Sequence, residues 1–462
     1  MYIQQLYTNC LAEAAYYIES NGEAAIIDPM REFEPYIELA QQRKANIKYI
    51  FETHFHADFI SGHIDLAAHT GAQIVFGANA NPEYKATLAQ HGALFSIGNL
   101  TIKVLHTPGH TPESVCYLLF DENKNPHAVF TGDTLFVGDV GRPDLAVKSD
   151  LTIYDLAGMM YDSLHSQILT LPDEVLVYPA HGAGSSCGKN IGKESFTTIG
   201  HQRNTNYALL APDKNTFIEL VTSGLAAAPK YFFHDAILNK KGYTDLNTVM
   251  QSANKLLNVA DFKNAMSKAS TILLDTRIPD QFEQGFIPSS INIGLNGQFA
   301  PWVGALIDHE ATILLIADPE KIEESVLRLA RIGYEKIEGI LSGGFNAWKN
   351  AALPIETIKS IEPNDFVSQF NNEMYVLDVR KPGEWDSGVI ENAQLITLSD
   401  VEASIQKIDK EKTCYIHCAG GYRSMIAASI LKTKGFQRLI NIKGGMTKLK
   451  EFGMETIQLQ TN

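Results

Sequence analysis

At 462 residues, 45% of them hydrophobic and 20% charged, the chain is long enough for about three domains with buried cores. A formal charge of −15 argues against nucleic-acid or anionic-membrane partners, which need a positive surface, and leaves any anionic substrate to a local basic patch. Five cysteines are too few for a disulfide framework; with no basic-then-apolar leader and no run of about 18 apolar residues, a reducing, cytoplasmic setting is expected.

Short apolar runs alternate with helical stretches over residues 1–236. Ala24–Asp28, Ile47–Phe51, Ile74–Phe76, Ile102–Leu105, Ala128–Phe130 and Glu174–Tyr178 read as strands. Several end in His or Asp, which places ligands along one edge of a sheet. Residues 237–259 are polar and read as a linker with some helix. An internal repeat follows. Ile272–Arg277 matches Val376–Arg380, Phe282–Gly285 matches Trp385–Gly388, and Ser342–Phe345 matches Lys443–Met446. The two copies, taken as 260–356 and 357–462, are each large enough for one small α/β domain.

Chemistry is densest at Thr53-His54-Phe55-His56-Ala57-Asp58-Phe59, which follows a strand. His110 sits in a Pro/Gly turn, Asp133 just after a strand, and His181 at the end of another. Imidazole and carboxylate at strand ends suit a transition metal. This order resembles the metallo-β-lactamase superfamily and implies its αββα sandwich. Members with two metals carry T-H-x-H-x-D-H, but here the last position is Phe59, which cannot ligate. His54, His110 and Asp133 remain, a two-histidine, one-carboxylate set of the kind that holds non-haem Fe(II) with open positions for substrate and dioxygen. Within the superfamily the pattern resembles the persulfide dioxygenases, as does Gly132–Asp144.

That resemblance implies one Fe(II) and leaves His56, Asp58 and His181 as remnants of a second site, orienting ligands or bonding substrate. Arg142 is expected to meet a substrate carboxylate or a sulfur oxyanion. Cys187, in a Gly/Ser-rich loop followed by Lys189, Lys193 and Arg203, is expected to grip an anionic thiol carrier or accept a persulfide. His63 is not expected at the metal.

In the last copy, a strand leads to Cys418-Ala419-Gly420-Gly421-Tyr422-Arg423 and then a helix. Successive loop amides and a helix N-terminus form an anion nest that favours a thiolate at Cys418, and Arg423 is expected to hold the incoming oxyanion. The C-x4-R spacing is one residue shorter than the phosphatase loop and resembles the rhodanese sulfurtransferases. In the first copy, Asp318 aligns with Cys418 and Glu323 with Arg423, so that copy should be inactive and structural. The expected activity is oxidation of a low-molecular-weight persulfide by O2 to sulfite and thiol. Sulfur transfer through Cys418 then gives thiosulfate, in sulfide detoxification, and the resembling fusions imply self-association. The alternatives are a binuclear zinc thioester hydrolase of the glyoxalase II type fused to a sulfurtransferase, and a non-enzymatic sulfur-responsive protein.

Overall fold

The computed structural model describes residues 1–147, 151–225, 227–268 and 270–459. It divides into two units, Met1–Val249 with Leu329–Tyr334, and Met250–Arg328 with Glu335–Asn462.

The first unit holds two six-stranded sheets. One runs β1 (Tyr2–Thr8), β2 (Glu13–Ser20), β3 (Glu23–Ile27), β4 (Asn46–Phe51), β5 (Gln73–Gly77) and β6 (Thr87–Ala89) in sequence order. The other contains β7 (Leu94–Ile97), β8 (Leu100–His106), β9 (Val115–Phe120), β10 (Pro126–Gly132), β11 (Leu176–Pro179) and β12 (Thr197–Thr198), ordered from β12 back to β7. Alternation along β9 explains the layering. Val115, Tyr117 and Leu119 join Tyr16, Ile27, Phe51 and Val75 in the core between the sheets. Cys116 and Leu118 point the other way, toward Met160, Phe217 and Val221 of helices Ile153–Ser163 and Lys214–Thr222. Thr152 starts the first of these helices with a reciprocal capping box, its Oγ1 accepting from Asp155 N at 3.2 Å and Asp155 Oδ2 accepting from Thr152 N at 2.9 Å.

The second unit contains the repeat. Strands β13 (Leu256–Leu257), β14 (Thr271–Asp275), β15 (Ser290–Asn292), β16 (Thr312–Ile316) and β17 (Ile337–Leu341) form a parallel sheet in the order β13-β17-β16-β14-β15. Strands β18 (Lys359–Ile361), β19 (Tyr375–Asp378), β20 (Gln394–Leu395), β21 (Cys414–His417) and β22 (Leu439–Ile442) repeat that order as β18-β22-β21-β19-β20. The same buried clamp follows the second strand of the first copy and its counterpart in the second: Arg277 Nη2 donates to Asp275 Oδ2 and Gly285 O, and Arg380 Nη2 to Asp378 Oδ2 and Gly388 O.

Two expectations shift. The stretch 237–259 is largely ordered: it carries the end of helix Phe232–Lys241, helix Leu246–Ala253 and strand β13, which pairs with β17 ahead of residue 260. Strand pairing also resets the alignment of the copies. Ile316 pairs with Asp275 as His417 pairs with Asp378, so Ala317, not Asp318, stands where Cys418 stands. The first copy still lacks a nucleophile. Among the described residues no helix is long and apolar enough to cross a membrane.

Phe130 links the two sheets, 4.9 Å from the Tyr16 ring and 5.3 Å from Tyr178. Phe130→Ala is expected to cost about 3–5 kcal/mol, read as faster hydrogen exchange along β9 and β10; unchanged exchange would place the ring outside the core.

Candidate metal centre

Four strand ends converge. His54 follows β4, His110 follows β8, Asp133 follows β10 and His181 follows β11, and all four side chains are buried. His54, His110 and Asp133 offer ligand atoms within 4.8 Å of one another. Asp133 Oδ2 lies 3.4 Å from His110 Nε2 and 3.9 Å from His54 Nε2, and Oδ1 lies 3.5 Å from His181 Nε2. Neither Asp133 oxygen accepts a hydrogen bond from an N–H or O–H of a described residue. A buried carboxylate left in that state is costly unless a cation meets it, so the donor set fits a metal ion.

The far side of each ring is already committed. His110 Nδ1 donates to Arg142 O at 2.9 Å, and His181 Nδ1 to Ala12 O at 3.1 Å. Thr53 Oγ1 donates to Asp28 Oδ2 at 2.8 Å, and it can therefore accept from His54 Nδ1 at 2.9 Å. A carbonyl can only accept, so Nδ1 carries the proton of a neutral ring and Nε2 keeps its lone pair for a metal. Burial, together with His56, His110 and His181, holds His54 well below the usual imidazole range, in the ligating form. The Arg142 carbonyl reaches His110 because residue 141 is glycine: a Cβ there would fall 1.9 Å from Asp133 O.

The neighbouring residues sort differently from expectation. His56 turns away from Asp133, its Nε2 3.1 Å from Asp28 Oδ1 and 3.7 Å from Glu52 Oε2. Burial alone would lower its pKa, but Asp28, with Glu52 and Asp58, raises it to about 9. Asp58 Oδ2 lies 3.4 Å from His181 Nε2, and these two form with Cys187 a second group within 4.8 Å. Burial, then Asp58 and Asp133, pushes the Cys187 thiol up. Its loop is pinned: Asp139 Oδ2 accepts from Lys189 N at 2.7 Å and Asn190 N at 2.6 Å. Lys189 Nζ donates to Leu220 O, and Arg203 is held by Asp173 and by the carbonyls of Leu169 and Leu171. Both arms are thus tied to the protein, while Lys193 is exposed. Arg142 is likewise engaged, its guanidinium bidentate on Asp144 at 2.9 and 2.6 Å; its part in the site is the carbonyl behind His110. His63 Nε2 meets Tyr84 Oη at 2.7 Å, outside the group.

Asn239 is the residue that sequence reasoning missed. From helix Phe232–Lys241 its Nδ2 donates to His56 O at 2.8 Å and Phe59 O at 2.7 Å, and its Oδ1 accepts from Ser61 N at 2.9 Å. One buried amide thus fastens the metal loop on both sides of Phe59. Its sequence gives little signal, since the buried side of that helix also carries Asp235 beside Phe232.

In the last copy, Gly421 N donates to Cys418 Sγ at 3.1 Å, with Gly421 at φ +97° to make the turn. Ala419 and Gly420 complete the loop, and Tyr422 opens helix Tyr422–Thr433. Met446 N donates to Cys418 O at 2.7 Å from the Gly444–Gly445 turn. Arg423 departs from expectation. Both its Nη atoms bond Glu384, at 2.6 and 2.7 Å, and the hydrogen bond to the sulfur comes from the Gly421 amide. Burial pushes the Cys414 thiol up to about 12, an inert core position.

Residues 8–181 match the metallo-beta-lactamase superfamily, and residues 258–351 and 362–452 each match the rhodanese-like domain. The chain is thus a metallo-β-lactamase-fold domain joined to two rhodanese-like domains. More particularly, it is similar to a metallo-beta-lactamase from Staphylococcus aureus of known crystal structure: 32% identity, 74% of this chain and 98% of that one, TM-score 0.65. The hydroxyacylglutathione hydrolase of Tolumonas auensis is 34% identical over 36% of this chain and 59% of its own. The chain spans 59% and 60% of the first two curated relatives it matches. A structure titled ETHE1, from Myxococcus xanthus, is 29% identical over 52% of this chain and 98% of that one, with a TM-score of 0.45.

Asn239→Ala is expected to weaken metal binding about tenfold while leaving every ligand in place. Chelator competition on the metal-free protein measures this, and unaltered affinity would remove Asn239 from the site.

Proposed function

We propose that the amino-terminal domain is a persulfide dioxygenase using one iron ion, and that the last domain passes sulfane sulfur to its product. The observation that carries the reading is Asp133, which takes no hydrogen bond from an N–H or O–H of the described residues and is faced by imidazole Nε2 atoms, together with a Phe59 that removes a second ion's histidine. An Fe(II) ion held by His54, His110 and Asp133 would supply the redox chemistry that dioxygen needs to react with sulfur. The chain's own part is to keep those rings oriented with Nε2 bare, and to place the Asp58–His181 pair where it can take the S–H proton of a bound persulfide.

The overall reaction balances as RSSH + O2 + H2O giving RSH, sulfite and two protons. In the second step the Cys418 thiolate attacks the outer sulfur of another RSSH. The S–S bond breaks, its electron pair leaves with RS⁻, and a Cys418 persulfide remains. Sulfite then attacks the outer sulfur, releasing thiosulfate and restoring the thiolate. Joining the two sites in one chain raises the effective concentration of sulfite at Cys418. The chemistry consumes sulfide-derived persulfide, a detoxifying role.

A second reading has its own support. Asp58, His181 and Cys187 lie within 4.8 Å of one another beside Asp133, and the curated relatives include hydroxyacylglutathione hydrolases. A binuclear zinc thioester hydrolase would use that second group. Phe59, standing where that hydrolase motif carries its last histidine, opposes this reading.

Two measurements separate the readings. Metal analysis of the purified chain is expected to give one iron per chain, whereas two zinc ions would favour the hydrolase. With a thiol persulfide the protein is expected to consume dissolved O2, and His110→Ala to slow uptake by about a hundredfold or more. Cys418→Ser is expected to keep O2 uptake and shift the product from thiosulfate to sulfite; identical products would reject the second step.

A further inference from the structure

Helix Tyr422–Thr433 carries the sulfur loop on its N-terminus, and it is buried on every side. Eight consecutive residues, Ser424 to Leu431, are all buried. The counterpart helix Ile322–Ala330 keeps a wet face, with Glu323 exposed and Arg328 partly exposed. The second face of the Cys418 helix must therefore be covered by something other than its own domain.

The cover is the copy that has no nucleophile. Its edge strand β15 packs along the helix, and Asn292 N donates to Ser429 Oγ at 3.0 Å, pairing an edge amide that would otherwise be orphaned. Just past that strand, Gly294 O accepts from Tyr422 Oη at 2.7 Å. Gly297 lies flat against the same ring: a Cβ there would fall 2.6 Å from Tyr422 Cε2 and Cζ. Tyr422 is the residue immediately after Gly421, whose amide faces Cys418 Sγ.

The sulfur loop is fastened from both domains. Its own domain supplies the Met446 amide on Cys418 O, the Thr447 amide on Ala419 O and Glu384 on Arg423. The inactive copy adds its hold on Tyr422. The geometry points to Tyr422 as a positioning residue through which the nucleophile-less rhodanese-like domain holds the Cys418 loop in its sulfur-binding conformation. The inference rests on the reading of Cys418 as the sulfur-transferring nucleophile. It gives the inactive copy a part in the reaction itself, beyond that of a spacer: Tyr422 does not touch the transferred sulfur, yet it fixes the turn whose amide does.

The test uses the full-length protein, with thiosulfate as sulfur donor and cyanide as acceptor. Tyr422→Phe keeps the ring and removes only the hydroxyl. It is expected to lower kcat about tenfold with KM for thiosulfate unchanged, since loop misplacement impairs the step and not the encounter. Gly297→Ala, made on the other domain, is expected to lower kcat similarly. In a Tyr422→Ala background, adding Gly297→Ala is expected to cost nothing further, because the ring it would strike is gone. Hydrogen exchange of residues 418–424 is expected to quicken in both single variants. Wild-type kcat in both single variants, or full additivity in the double, would overturn the inference. If wild type and Cys418→Ser transfer sulfur equally, the nucleophile reading fails instead; the exchange measurement then still reports whether the inactive copy holds the loop.

Discussion

The carboxylate of Asp133 is the group around which the amino-terminal domain is arranged. It is buried, it takes no hydrogen bond from an N–H or O–H of the described residues, and bare imidazole nitrogens surround it. Such a group is tolerable only when a cation compensates it. The carbonyls of Arg142 and Ala12 and the Thr53 hydroxyl all act on the opposite side of the rings, so the inner side stays available. The fold brings strand ends from both sheets to this point, and no single element contains the site.

The two repeats show a division of labour by deletion. Both keep the parallel sheet and the Asp–Arg clamp, so the first copy folds by the same rules as the second. Where one has Cys418 the other has Ala317, and both positions are followed in space by a glycine pressed against the backbone carbonyl, Gly445 and Gly344. The scaffold for a nucleophile survives without the nucleophile.

Much of this was legible in the sequence because it is local. Each ligand of the metal group sits just beyond an apolar strand, and the missing ligand at Phe59 is visible by inspection. The repeat was legible from three short matches, although its register slipped by one residue, since only strand pairing decides what faces Cys418. What could not be read was partnership. A charge is plain in a sequence, but the group that neutralises it is not. Arg142 and Arg423 both read as free cations for substrate, and the fold commits them to Asp144 and Glu384. Asn239 escaped for the same reason, since its partners lie far back along the chain.

That distance has a consequence for how the site is made. Asn239 stands 183 residues downstream of His56 and 180 downstream of Phe59. On the ribosome, the loop that will cradle the ion emerges long before the helix that cinches it. A nascent chain halted after Cys187 owns every candidate ligand of both groups but lacks the fastener. The loop therefore gains its last fastening only after translation has passed the helix.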